Sequence, residues 1–134
     1  MKKVMMIILF GFLFAQFISA QNKIALTDTT KVKEYLSLSE KQYKLVKQNL
    51  KKINVILEKD RQIIAEIKKR VENDDEPGFF EKVSVKRGRD SRAGDIEDLI
   101  EEIEDELTDE QKAKFEKVKK PELKSLEKKE IFGE

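Results

Sequence analysis

The sequence predicts an all-α protein, a long helical hairpin of thin antiparallel helices that completes its core by dimerising. Three observations lead there. Apolar residues recur at helical spacing over an unusually long stretch, two copies of one helix-starting motif lie about seventy residues apart, and the composition leaves little else to build with. Of 134 residues, 39% are hydrophobic and 41% charged, with no Cys, His or Trp. That inventory excludes a disulfide framework, thiol redox chemistry, Cys/His zinc sites and any catalytic scheme needing an imidazole or a thiol nucleophile. It argues against an enzyme and against a cofactor.

The N-terminus reads as a secretory signal peptide over residues 1–20. Lys2 and Lys3 precede an apolar run from Val4 to Ala15, and Ile18-Ser19-Ala20 offers a cleavage site before Gln21. The run is shorter than the ~20 apolar residues a transmembrane helix needs. With no Cys there is no lipoprotein attachment, so a soluble, periplasmic product is expected. Removal of the leader takes all three Met, four of the eight Phe, Lys2 and Lys3, which moves the net charge from +1 to −1. The exported chain is poor in core-formers, and a thin assembly that gains core by forming a homodimer is the expectation.

Thr27-Asp28-Thr29-Thr30 caps a short helix through Lys31 to Tyr35. From Ser39 to Val71, Tyr43, Val46, Leu50, Ile53, Leu57, Ile64, Ile67 and Val71 recur at steps of three and four, which predicts a helix about 48 Å long. Leu45, Ile56 and Ile63 widen the stripe, as suits contact with more than one neighbour. Asp60 interrupts it and reads as a bend, a register device or a solvated edge position. The stripe serves either as core or, with Lys44, Lys47 and Lys51, as a client-binding or dimer surface.

Glu72 to Gly78 is a turn by its Asn, Asp, Pro and Gly. Phe79, Phe80, Val83 and Val85 form a short apolar patch, and Lys86 to Arg92 is too polar and Gly-broken to assign. Helical order resumes over Asp90 to Glu106, with Ile96, Leu99, Ile100, Ile103 and Leu107 on one face. A further piece starts at Asp109, carries Phe115 and Val118, and stops at Pro121. The helical domain thus covers 21–120, and 121–134 is expected to be a charged, frayed tail despite Leu123, Leu126, Ile131 and Phe132.

Charge is unevenly divided. Lys31 to Arg70 holds twelve Lys or Arg against five acids, and Asp95 to Glu110 holds ten acids and no base. An antiparallel hairpin of these helices, within one chain or between two, would neutralise both; alternatively each run is a solvated face. The acids lack the Gly-punctuated spacing of a cation loop, and the basic run at 86–92 has no interleaved aromatics for stacking on bases. Neither a specific metal nor nucleic acid is expected.

The repeated motif is Leu38-Ser39-Glu40-Lys41-Gln42 and Leu107-Thr108-Asp109-Glu110-Gln111. Each is a capping box: Ser39 or Thr108 accepts from the N–H three residues on, and Gln42 or Gln111 reaches back to the cap residue's own N–H. Two such copies behind a signal peptide, with Phe115 after the second, resemble the LTXXQ-motif periplasmic proteins of the Spy/CpxP type, from about Val32 to Val118. Ser39 stands where the motif usually has Thr, and the Gly- and Pro-containing stretch 74–94 departs from the continuous helix of that family. The resemblance implies a bent helical hairpin that dimerises into a cradle. It also implies an ATP-independent holdase of the envelope stress response, whose partners are unfolded or stress-damaged envelope proteins. Members that instead act as sensors dock on a membrane kinase, so a regulatory adaptor is the alternative, and a purely structural helical dimer a third. Relatives that bind metal do so mainly through His, which this chain lacks.

Overall fold

A computed structural model describes residues 23–133; the leader expected over residues 1–20 lies outside them. The described chain is all-α, with helices α1 (Thr29–Leu36), α2 (Glu40–Glu72), α3 (Phe79–Asp105), α4 (Asp109–Phe115) and α5 (Lys128–Phe132). Its one β-type contact among these residues is an isolated bridge between Ala25 and Lys119.

Local chemistry sets each boundary. Asp28 caps α1, accepting from the Lys31 N–H. Ser37 then takes a left-handed conformation (φ 52°), and the Ser37 and Leu38 amides close onto the Glu34 and Lys33 carbonyls, so the chain reverses at once into α2. Both predicted capping boxes are formed. Ser39 Oγ accepts from the Gln42 N–H at 3.2 Å and Gln42 Oε1 from the Ser39 N–H at 2.9 Å. Thr108 and Gln111 repeat the pattern at 3.2 and 3.0 Å. At the far end, the turn 73–78 carries Asp74 at φ 59° and leads to Gly78, the cap residue of α3.

α2 and α3 pack antiparallel within one chain, which resolves the hairpin as intrachain. The polar stretch 86–92, left unassigned by its pattern, lies inside α3, and the helix starts at Phe79 rather than near Asp90. Its periodicity is hidden because the facing position on α2 is a charge: Asp60 receives Arg89 and Arg92.

Two apolar clusters flank that ion triad. The larger gathers Leu26, Val32, Leu36, Leu38, Val46, Leu50, Ile53, Ile96, Ile103, Leu107, Phe115 and Val118. Reciprocal bonds from Leu26 N–H to Lys119 O and from Lys119 N–H to Ile24 O, both 2.8 Å, stitch the N-terminal segment across it. The smaller joins Ile64 and Ile67 to Ile131 and Phe132, with Ile63, Val71, Val85 and Leu126 at its edge.

The tail corrects the expectation of a frayed 121–134. The first half of α3 brings Val85 but mostly polar residues to this end, so Ile64 and Ile67 would lie open to water. Leu126, Ile131 and Phe132 fold back to cover them, and burying such side chains is worth ~1.5–3 kcal/mol each. Leu123 packs on the larger cluster.

Candidate functional site

Leu38 and Leu107, the first residues of the two motifs, are both buried. Their Gln residues do more than cap. Gln42 Nε2 donates to Gln111 Oε1 at 2.8 Å, and Gln111 Nε2 donates to Gln42 Oε1 at 3.1 Å. The second amide proton of Gln42 goes to the Glu106 carbonyl (2.8 Å), and that of Gln111 to the Leu36 carbonyl (3.0 Å). Each amide therefore caps its own helix, binds its twin and ties down the chain preceding the other helix. Only a Gln has the length, the acceptor and the two donors for all three tasks. Sequence reading found the caps and missed the pairing, although identical motifs in one short chain were the available signal.

The stripe on α2 is hairpin core. Val46, Leu50, Ile53, Ile64 and Ile67 are buried, and Tyr43 and Leu57 half-buried. With the tail in place the five buried side chains are covered inside the monomer, and only Tyr43 and Leu57 keep part of their surface open. Lys44, Lys47 and Lys51 do face solvent. Lys47 also reaches Tyr43, its ammonium 4.4 Å from the ring centroid. Beside them Val55 is 69% exposed, so the outer face of α2 is basic with little apolar content.

Midway along the hairpin, Asp60 is buried and holds two guanidiniums. Arg89 Nε lies 3.1 Å and Arg92 Nη2 2.9 Å from Asp60 Oδ1, and Arg89 Nη2 also donates to the Lys124 carbonyl at 2.7 Å. Its burial rules out the reading of Asp60 as a solvated edge position. Pairing a buried carboxylate with two Arg satisfies it where an apolar contact would not. Gly88 makes room, since a Cβ there would fall 3.1 Å from Arg92 Nη1. On α2, Asn49 is likewise buried and donates to the Leu99 carbonyl (2.8 Å) and to Glu102 (3.0 Å).

Open apolar surface lies at the hairpin tip instead. Phe79 and Phe80 are 74% and 86% exposed and stack edge-to-face with centroids 5.5 Å apart. Next to them runs a groove of about 910 Å³ between α3 and the tail, whose lining mixes apolar Val83, Leu126, Ile131 and Phe132 with basic Lys82, Lys86 and Arg87. A smaller cavity of about 420 Å³ opens on the α2 side of the tail, against Ile64 and Lys68. A basic and apolar surface is therefore present, although it is formed by the tail and by the apolar patch and basic run of the first half of α3, and not by the α2 stripe where the sequence suggested it.

Ion pairs set the local titrations. The Arg70 guanidinium bonded to Glu81 holds that carboxyl below its ordinary value, and the Lys33 hydrogen bond does the same for Glu40. Burial pushes the Lys120 ammonium down. The acids of α3 mostly face water: Asp95, Asp98, Glu101 and Asp105 are exposed, and the Lys41–Glu106 contact with α2 is long at 3.9 Å. Among the described residues no three His, Cys, Asp or Glu side chains gather as a metal site, and no helix is long and apolar enough to cross a membrane. Comparison with models of known protein families, with characterised proteins and with solved structures finds no match.

Proposed function

We propose that the protein is an exported, ATP-independent holdase of the LTXXQ type, which keeps unfolding envelope proteins from aggregating. The observation that carries this reading is the tip of the hairpin, where an exposed Phe pair adjoins a groove lined by both apolar and basic residues. Exposed aromatic surface of this kind is characteristic of binding sites, and the cations favour encounter with acidic, partly unfolded chains. What supports the family likeness is the pair of motifs, each starting a helix with a full capping box. Because the α2 stripe is covered within one chain, a homodimer is proposed to use other surfaces, the Phe79–Phe80 pair being the first to examine.

The test is light scattering of a chemically denatured protein diluted into buffer with residues 21–134 and no nucleotide. Suppression that grows with concentration, and that falls severalfold in Phe79→Ser/Phe80→Ser, is the expected result. Both rings are exposed, so this variant keeps its helicity by circular dichroism. Absence of suppression at several-fold molar excess rejects the holdase. A regulatory adaptor is the second reading, favoured by how localised the Phe pair is. It predicts saturable binding to the sensor domain of one envelope kinase and indifference to denatured proteins.

A further inference from the structure

The tail is an unusual piece of packing. From Lys120 to Leu126 its backbone makes no hydrogen bond with other backbone among the described residues, and it is fastened there by the Arg89 bond to the Lys124 carbonyl. It runs extended to the five-residue α5, where Ile131 and Phe132 are its two buried anchors. The cavities of about 910 and 420 Å³ lie on either side of it, and Leu123, Lys124 and Leu126 line both. A segment with open space on both flanks underfills the cleft that it occupies. The entropy of ordering it offsets most of what its few apolar contacts contribute.

We infer that the cleft between α2 and the first half of α3 is a binding site for an extended apolar and acidic segment of an unfolded polypeptide, with residues 121–133 as its exchangeable internal occupant. This rests on the holdase reading and specifies the site and its regulation. The seated tail shows that the cleft accepts an extended segment with spaced apolar residues, while its own charges balance; the preference for acidic segments comes from the walls. Leu126, Ile131 and Phe132 pack on the floor made by Ile64, Ile67, Val71 and Val85, Leu123 lies against the larger cluster, and Glu122, Glu127 and Glu130 alternate with Lys124, Lys128 and Lys129. Lys68 on one side and Lys86 and Arg87 on the other give the walls a positive balance that favours acidic segments over basic ones. A client displaces the tail from the Phe132 end, and Pro121 marks where the released segment begins. While the tail is seated, apparent affinity is lowered by the fraction of molecules in which the cleft is open.

The structure supplies a lock. A Cβ at position 133 falls 3.2 Å from Val71 Cγ1, and the chain has no Cys, so Val71→Cys/Gly133→Cys creates one disulfide that closes the tail over the cleft. The left-handed φ of 72° at Gly133 burdens the oxidised and reduced forms alike. Binding is read by fluorescence anisotropy of a labelled, permanently unfolded acidic protein, reduced carboxymethylated α-lactalbumin. The oxidised double variant, its reduced form, the chain ending at Lys120 and the unaltered chain are compared, with circular dichroism as the folding control. Expected are at least ~tenfold weaker binding when oxidised than when reduced, and ~tenfold tighter binding without the tail. Equal binding by oxidised and reduced forms overturns the cleft as the site and leaves the holdase standing on another surface. Binding that is weaker in the oxidised than in the reduced form, without any suppression of aggregation by the unaltered chain, upholds the cleft and rejects the holdase. No binding by any form overturns the inference, and the oxidised and reduced pair decides the matter even where the tailless chain loses structure.

Discussion

Asp60 shows how a break in a pattern becomes a contact. The apolar stripe of α2 skips one position, and 26 to 32 residues later a basic stretch breaks the next helix; the two irregularities meet as Asp60 with Arg89 and Arg92. Each was visible in the sequence, but joining them needed the hairpin register, which no local pattern gives. Replacement by Ala strands two guanidiniums whose side chains are only 12% and 13% exposed. Asp60→Ala is expected to cost about 3 kcal/mol, read as a lower urea midpoint with an unchanged m-value. Asp60→Asn keeps two acceptor lone pairs on one oxygen and loses less. Gln42 and Gln111 make the complementary point. Their capping role follows from spacing of three residues, whereas their mutual pairing spans 69 residues and depends on both helices starting at the same place.

At the scale of the helices, legibility followed the chemistry of the partner. α2 was readable over its whole length because its partners are mainly apolar and impose a period. The first half of α3 was not, because Arg89 and Arg92 face a carboxylate and Gly88 stands where a Cβ would crowd Arg92. Gly94 has no such reason, since a Cβ there meets nothing within 4 Å. Gly94→Ala is therefore expected to stabilise the protein by about 0.5–1 kcal/mol, whereas Gly88→Ala gains nothing or loses stability. Paired thermal melts check both. The tail was misread for a different reason: α5 has five residues, too few to show a period, and its burial depends on a gap that exists only after α2 and α3 have packed.

Across the whole molecule, the two ends are held by exposed ion pairs of one kind. Lys33 with Glu40 fastens α1 to the start of α2, and Arg70 with Glu81 fastens the hairpin tip. Both carboxyls titrate below their ordinary 4.5. A carboxyl whose folded value is depressed contributes stability that is present above its unfolded value and lost as pH falls through the folded one. The urea midpoint is expected to hold from neutrality to about pH 5 and to decline below about 4.5, with a shallower decline in Glu81→Gln. The expected neutralisation between basic α2 and acidic α3 is not how the hairpin is held, since most α3 acids stay in water and the close ion pairs with α2 involve the other half of α3. The paired Gln residues carry one more implication, for the evolution of size. They fix where α2 begins and where α4 begins, and they fix nothing about how far the chain travels between. Hairpin length is then a free variable, adjustable at the 73–78 turn by adding about seven residues to each arm, two helical turns that return every face to its partner. Longer or shorter arms of that step size would keep the same closed base while resizing the surface at the tip.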